Sequence, residues 1–179
     1  DVPSIKSFDE DGIVVYSGSF SKIVAPGIRV GYVLAPKEII AKLTVAKQTQ
    51  DVHTPMISQL IVYKWLTEYD FESHINKIRE IYKRKLNLLC DCVDKELSDF
   101  LTYHRPEGGL FVWAKLNDGI DMLDFVKKAS AAGASVVPGN AMMVDGDAPC
   151  QYIRMNFSTP SDADIVKGVK ILGEVARSL

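Results

Sequence analysis

Residues 70 to 99 place the tightest constraint on what this chain can fold into. Asp70 precedes an apolar series, Ile75, Ile78, Tyr82, Leu86, Leu89, Val93 and Leu97, whose members fall three or four positions apart. That spacing puts them on one face of an α-helix, and Asp70 is the residue type that caps its start. At about 1.5 Å per residue the helix is roughly 40 Å long, enough to run between two domains.

Upstream of the helix, Ile13 to Tyr16 and Val30 to Leu34 are short apolar runs bounded by turn residues, and both are predicted as buried strands. From Lys37 the pattern is helical, with Ile39, Ile40, Leu43 and Ala46 on one stripe. Thr54-Pro55 predicts an N-cap followed by proline at the first helical position, opening a helix whose apolar residues are Ile57, Leu60, Ile61 and Trp65.

Downstream of Phe100, short strands and helices alternate. Leu110 to Lys115, Ser135 to Val137 and Tyr152 to Asn156 are predicted strands. Asp121 opens a helix that Gly133 can end, and Ser161-x-x-Asp164 has the spacing of a capping box ahead of a last helix. The fold class is therefore α/β, a small domain from about Phe100 tethered by the long helix to part of a larger one.

With 47% hydrophobic and 25% charged residues in 179, the chain can offset its conformational entropy by burial. A net charge of −2 with scattered basic residues gives no long-range attraction for nucleic acid or an anionic membrane. No apolar run reaches the length of a membrane span, and no secretory leader precedes the first strand, so the expected location is cytoplasmic. Cys90, Cys92 and Cys150 lack metal-ligand spacing and are expected as unpaired thiols. The chain opens Asp1-Val2-Pro3 without an initiator methionine and reads as the remainder of something longer.

The segment that carries chemistry runs from Ser19 to Tyr32, Ser-Phe-Ser-Lys-Ile-Val-Ala-Pro-Gly-Ile-Arg-Val-Gly-Tyr, between the two upstream strands. A lysine in a loop is ordinarily a solvated charge. Here Lys22 follows Ser19 by three positions and precedes Arg29 by seven, so hydroxyl and guanidinium donors can converge on one phosphate beside an amine.

Through Ser19, Ser21, Lys22, Pro26, Gly27, Arg29, Gly31 and Tyr32, this segment resembles the cofactor-lysine motif of the class I/II, fold type I aminotransferases dependent on pyridoxal 5'-phosphate. The branch it resembles includes 2-aminoadipate and aromatic amino-acid aminotransferases. Pro106-Glu-Gly-Gly-Leu-Phe-Val-Trp113, Val137-Pro-Gly-Asn140 and Tyr152-Ile-Arg-Met-Asn-Phe-Ser158 resemble later family segments in the family's order.

The resemblance implies an organisation and a set of roles. Residues 1–69 would be the C-terminal remnant of a large cofactor-binding domain, 70–99 the interdomain helix and 100–179 the small C-terminal domain. Lys22 would hold the cofactor as a Schiff base and move a proton at the substrate Cα, with burial and neighbouring cations tuning the amine. Ser19 and Arg29, assisted by Ser21, would bind the cofactor phosphate, and Arg154 would clamp the substrate carboxylate. Without the resemblance, Arg154 reads as a strand arginine paired with a surface carboxylate. No metal is expected.

The same resemblance implies a homodimeric parent that exchanges an amino group between an amino acid and a 2-oxo acid, 2-oxoglutarate among the acceptors. The segment Asp51 to Pro55 resembles one that approaches the neighbouring subunit's site; His53 is equally read as a polar residue before a helix. His74 and His104 are read as ordinary polar residues. The family's glycine-rich phosphate turn, its stacking ring and its ring-nitrogen aspartate have no counterpart in these residues, so the chain by itself is expected to be inactive. The alternative is the aminotransferase-like sensor domain of a transcription regulator.

Overall fold

A computed structural model describes residues 2–146 and 148–179. The chain forms two units, residues 1–75 and 76–179.

In the first unit a two-stranded antiparallel sheet pairs β1 (Tyr16–Ser19) with β2 (Gly31–Leu34) in the register Tyr16 to Leu34 and Ser19 to Gly31. The strand expected over Ile13 to Tyr16 therefore begins only at Tyr16. Its upstream residues are bound differently: the Ile13 and Val14 amides donate to the Asp9 carboxylate, which removes them from any ladder. Neither strand is buried as expected, since Val33 and Leu34 are exposed and β1 is at most half-buried.

Helix α1 (Lys37–Gln50) and helix α2 (Met56–Glu68) follow. Pro55 occupies the position before α2, and Thr54 makes no side-chain cap; its carbonyl instead accepts from Gln59. The expected inner stripe of α2 is also corrected. Ile57, Leu60 and Ile61 are exposed, whereas Val62 is buried and Trp65 half-buried. Apolar residues surround this helix on all sides, so periodicity cannot select its inner face.

Helix α3 (Phe71–Glu96) is the predicted long helix, about 39 Å at 1.5 Å per residue. It starts where expected, with the Ser73 amide on the Asp70 carboxylate at 3.0 Å.

Residues 76–179 hold an extensive core. Strands β3 (Leu101–Tyr103), β4 (Phe111–Leu116), β5 (Val137–Pro138) and β6 (Tyr152–Asn156) form an antiparallel sheet ordered β3-β4-β6-β5. Strict alternation sends Val112, Ala114 and Leu116 of β4 and Ile153 and Met155 of β6 inward. These side chains share one apolar cluster with Leu86, Leu89, Cys90, Val93 and Leu97 from α3 and its end, and with Phe125 and Phe157.

Helix α4 (Met122–Ala131) is capped by Asp121, and the chain turns out of it at Gly133, whose φ of 97° is the left-handed geometry expected of a helix end. Helix α5 (Asp162–Ala176) carries the reciprocal Ser161–Asp164 capping box. The α3 side chains Arg84 and Lys85 fasten the turn before α5, Arg84 through Asp162 and Lys85 through the Ser158 and Pro160 carbonyls. Cys90 is buried, Cys92 and Cys150 are half-buried, and all three are free thiols.

Candidate active site

The lysine loop grows out of an unusually close strand pair. A Cβ on Gly18 would lie 2.3 Å from the Tyr32 ring, and one on Gly31 would lie 2.9 Å from the Gly18 carbonyl oxygen. Glycine at both positions lets Tyr32 cross the opposite backbone, with Tyr16 and Phe20 tilted against its ring. The strands leave this pair with Ser19 and Gly31 opposite each other and the loop between them.

Residues 20–24 then form a tight turn. The Phe20 carbonyl accepts from the amides of Ile23 at 3.3 Å and Val24 at 2.9 Å, and the Phe20 amide closes the loop on the Val30 carbonyl. Lys22 lies in this turn and is exposed. The burial that the family resemblance led us to expect around it is thus not provided by this chain.

Three donors gather beside the turn. The Ser21 amide donates to Ser19 Oγ at 3.2 Å, and Arg29 Nη1 donates to Ser21 Oγ at 3.4 Å and to the Pro26 carbonyl at 3.3 Å. Arg29 follows a short 3-10 turn, Pro26–Ile28, and has left-handed backbone, φ 54°. That conformation costs an L-residue about 1–2 kcal/mol, so the loop spends stability on the direction in which this arginine leaves it. Among the described residues, neither Lys22 nor Arg29 has a carboxylate within ion-pair distance. Two cations and two hydroxyls without acidic partners suit a phosphate dianion, which accepts from all four.

Arg154 belongs to the other unit, on the outward side of β6. It stands opposite Trp113 in the register, and its guanidinium carbon lies 4.1 Å from the centre of the Phe111 ring. The aromatic face is an electrostatic partner for the cation. Farther along the same face, Trp113 and Tyr152 stack at 5.3 Å. Arg154 Nε is buried and has no hydrogen-bond partner among the described residues. Pairing with a surface carboxylate, the ordinary fate of a strand arginine, is therefore not what this structure shows.

The chain matches the family model described as Aminotransferase class I and II over residues 1–172. The chain belongs to this family. It is 39% identical over 176 residues to the aromatic-amino-acid aminotransferase 1 of Thermococcus litoralis, an alignment covering 98% of this chain and 42% of that relative. The α-aminoadipate aminotransferase of Thermus thermophilus, solved with N-(5'-phosphopyridoxyl)-L-leucine, superposes with a TM-score of 0.85 at 32% identity. That match covers 92% of this chain and 42% of that structure. An uncharacterized HTH-type transcriptional regulator of Bacillus subtilis is 30% identical over 98% of this chain and 36% of its own length. The chain thus spans less than half the length of these relatives.

Within this family member the histidines separate. His53 is exposed, with Nδ1 3.0 Å from the Thr54 carbonyl, and it follows Val52, whose φ of 65° is rare for a β-branched residue. His104 is exposed. His74, read as an ordinary polar residue, instead reaches the lysine loop: its Nε2 is 2.9 Å from the Ile23 carbonyl. The partners are 51 residues apart, so no local pattern could have announced the contact. Among the described residues no cluster could hold a metal ion, and no helix is long and apolar enough to cross a membrane.

Proposed function

We propose that this chain is the part of a pyridoxal 5'-phosphate-dependent aminotransferase that supplies the cofactor lysine, half of the phosphate site and the substrate-carboxylate arginine. The complete enzyme exchanges an amino group between an amino acid and a 2-oxo acid, with 2-oxoglutarate as acceptor, and works as a cytoplasmic homodimer. The observation that carries this reading is the buried, unpartnered Arg154 Nε. A buried donor without an acceptor is costly, and a carboxylate that accepts from Nε and a terminal nitrogen together removes the cost.

Each residue has a definite task. Ser19, Ser21 and Arg29 hold the phosphate, the arginine as a planar fork and the hydroxyls as lighter donors. Lys22 binds the cofactor covalently through Nζ, and the same amine then moves the proton at the substrate Cα. The cofactor, when bound, supplies the electron sink for the pair that deprotonation leaves at that carbon. Because Lys22 faces water here, we expect the 179-residue chain alone to bind the cofactor weakly and to show no transamination.

Two measurements test the assignment. Borohydride reduction of the cofactor-loaded complete enzyme, followed by peptide mass analysis, should place the adduct on Lys22; an adduct on another lysine rejects the role. Replacing Arg154 by Ala should lower kcat/KM by about a hundredfold or more, as for loss of a desolvated bidentate donor, while the cofactor stays bound. Unchanged efficiency would refute the clamp.

The similarity to the Bacillus regulator favours a second reading, a sensor domain that binds the cofactor or an amine. That reading requires cofactor binding without turnover in the complete protein. The charge, the hydrogen-bond deficit and the aromatic seat of Arg154 all favour the enzyme.

A further inference from the structure

We propose that His74 is a positioning residue for the lysine loop, holding the turn that carries Lys22 by donating a hydrogen bond from Nε2 to the Ile23 carbonyl. The inference rests on the reading of Lys22 as the cofactor-bearing residue and extends it to a side chain on a different element. A carbonyl oxygen can only accept, so the 2.9 Å separation assigns the proton to Nε2.

The Ile23 carbonyl takes no part in the turn's internal bonds. The Ile23 and Val24 amides both donate back to the Phe20 carbonyl, the Ser21 amide is taken by Ser19 Oγ, and the Phe20 amide by the Val30 carbonyl. These bonds all tie the turn on its N-terminal side or to Val30, just before β2. Among the described residues His74 supplies the one tie from a helix, at the residue immediately after Lys22. A backbone fixed on both sides of a lysine restricts where its four-carbon stem can begin, the entropy saving that positioning contributes to catalysis.

The imidazole is itself held. His74 lies in the first turn of α3, its amide bonded to the Asp70 carbonyl at 3.2 Å. Trp65 of α2 meets the ring edge-on at 5.0 Å and 86°, and meets Phe71 in the same manner at 5.1 Å. The chain of support runs from the Asp70 cap and the Trp65 ring, through His74, to the Ile23 carbonyl in the turn that carries Lys22. Every member of it lies within residues 1–75.

Two substitutions separate the hydrogen bond from the packing. His74→Phe keeps a flat ring against Trp65 and removes the donor; His74→Gln returns an amide donor at similar reach. In the full chain, hydrogen exchange of the 20–24 amides should accelerate by about tenfold in His74→Phe, the scale of one lost hydrogen bond, and stay near wild type in His74→Gln. Amides of β4 and β6 serve as the unaffected reference. In the complete enzyme, kcat should fall in His74→Phe with KM for the amino acid unchanged, and His74→Gln should restore it. Should His74→Phe not fold, His74→Leu carries the same comparison with His74→Gln.

Exchange and kcat in the donor-less variant equal to wild type would overturn the inference, and so would failure of the glutamine to rescue. The underlying reading fails separately. If exchange responds as expected but reduction places the cofactor on a lysine other than Lys22, His74 anchors the loop and the role of Lys22 is wrong. If the adduct is on Lys22 and both His74 variants behave as wild type, only the positioning role is lost.

Discussion

Residues 2–75 and residues 76–179 contain helices and strands in comparable proportion, yet they solve the burial problem in opposite ways. In the second unit, helices α3, α4 and α5 close on the inner face of the sheet, and Phe125, Phe157, Leu97, Leu116, Ile153 and Val112 are sealed from water. In the first, Val62 is the single buried apolar residue among the described residues, while Ile57, Leu60, Ile61, Tyr63 and Leu66 lie open on one helix. Hydrogen bonds, not apolar burial, give that unit its local order: the Asp9 clasp, the Phe20 turn and the His74 tie.

Arg154 is mounted on a strand whose inner neighbours Ile153 and Met155 are buried, so its position follows from a packed sheet. Lys22 is mounted on a turn whose geometry depends on a few hydrogen bonds, each contributing about 1 kcal/mol. A side chain on a packed strand is held by the core behind it, whereas one in an exposed turn depends on specific tethers.

The comparison is broken most directly from the packed side. Phe125→Ala removes the largest fully buried side chain, and the cavity should lower the stability of residues 76–179 by about 3–5 kcal/mol in urea unfolding followed by circular dichroism. Exchange of the 20–24 amides should change far less, because that turn is tied by its own hydrogen bonds. Equal acceleration in both places would show that the two units unfold together and that the contrast is only apparent.

A gain is expected on the open side. Val52 has φ 65° and an exposed side chain at the end of α1, so Val52→Gly relieves left-handed strain while giving up little packing. The net effect should be a stabilisation of the last turn of α1 by about 0.5–1 kcal/mol, after the added flexibility of the unfolded chain is subtracted. Slower exchange of the Asp51 and Val52 amides, which bond to the Lys47 carbonyl, would report it; faster exchange would mean that the strain is compensated elsewhere.

The smallest effect is confined to acid. The Lys6 ammonium and, more weakly, the Ile13 and Val14 amides hold the Asp9 carboxyl down at about 2, well below the usual carboxylate value. The clasp is local, since Lys6, Ile13 and Val14 all lie within five residues of Asp9. A depressed folded-state value means that the contribution is complete above about pH 4 and is lost as pH falls through 2. Carboxyl carbon titration of Asp9 by NMR should place its midpoint near 2, with the Ile13 and Val14 amides moving in step. A midpoint near the ordinary carboxylate value would remove the clasp from the account of the first unit.

Much of the fold is legible in the sequence. The Asp70 start and the α3 stripe, the Asp121 cap, the Gly133 end and the Ser161–Asp164 box all appear where residue type and spacing put them. Each is a local rule, in which one side chain satisfies a backbone group a few residues away. The donor set Ser19, Ser21 and Arg29 was also legible, because one short loop contains all of it. Strand β3 was missed: three residues are too few to establish an alternation.

The pairing of distant partners arises only on folding. An all-round apolar helix such as α2 does not say which face is inside, and only packing selected Val62 and Trp65 over Ile57 and Leu60. Arg154 could be assigned a carboxylate by resemblance, but its seat over Phe111 and its unpartnered Nε follow from cross-strand register. His74 offered no signal until α3 brought it to the Ile23 carbonyl. What each segment becomes is a local matter, since capping and periodicity act over three or four residues. Which segments meet depends on surfaces assembled from residues tens of positions apart, and no local pattern records that.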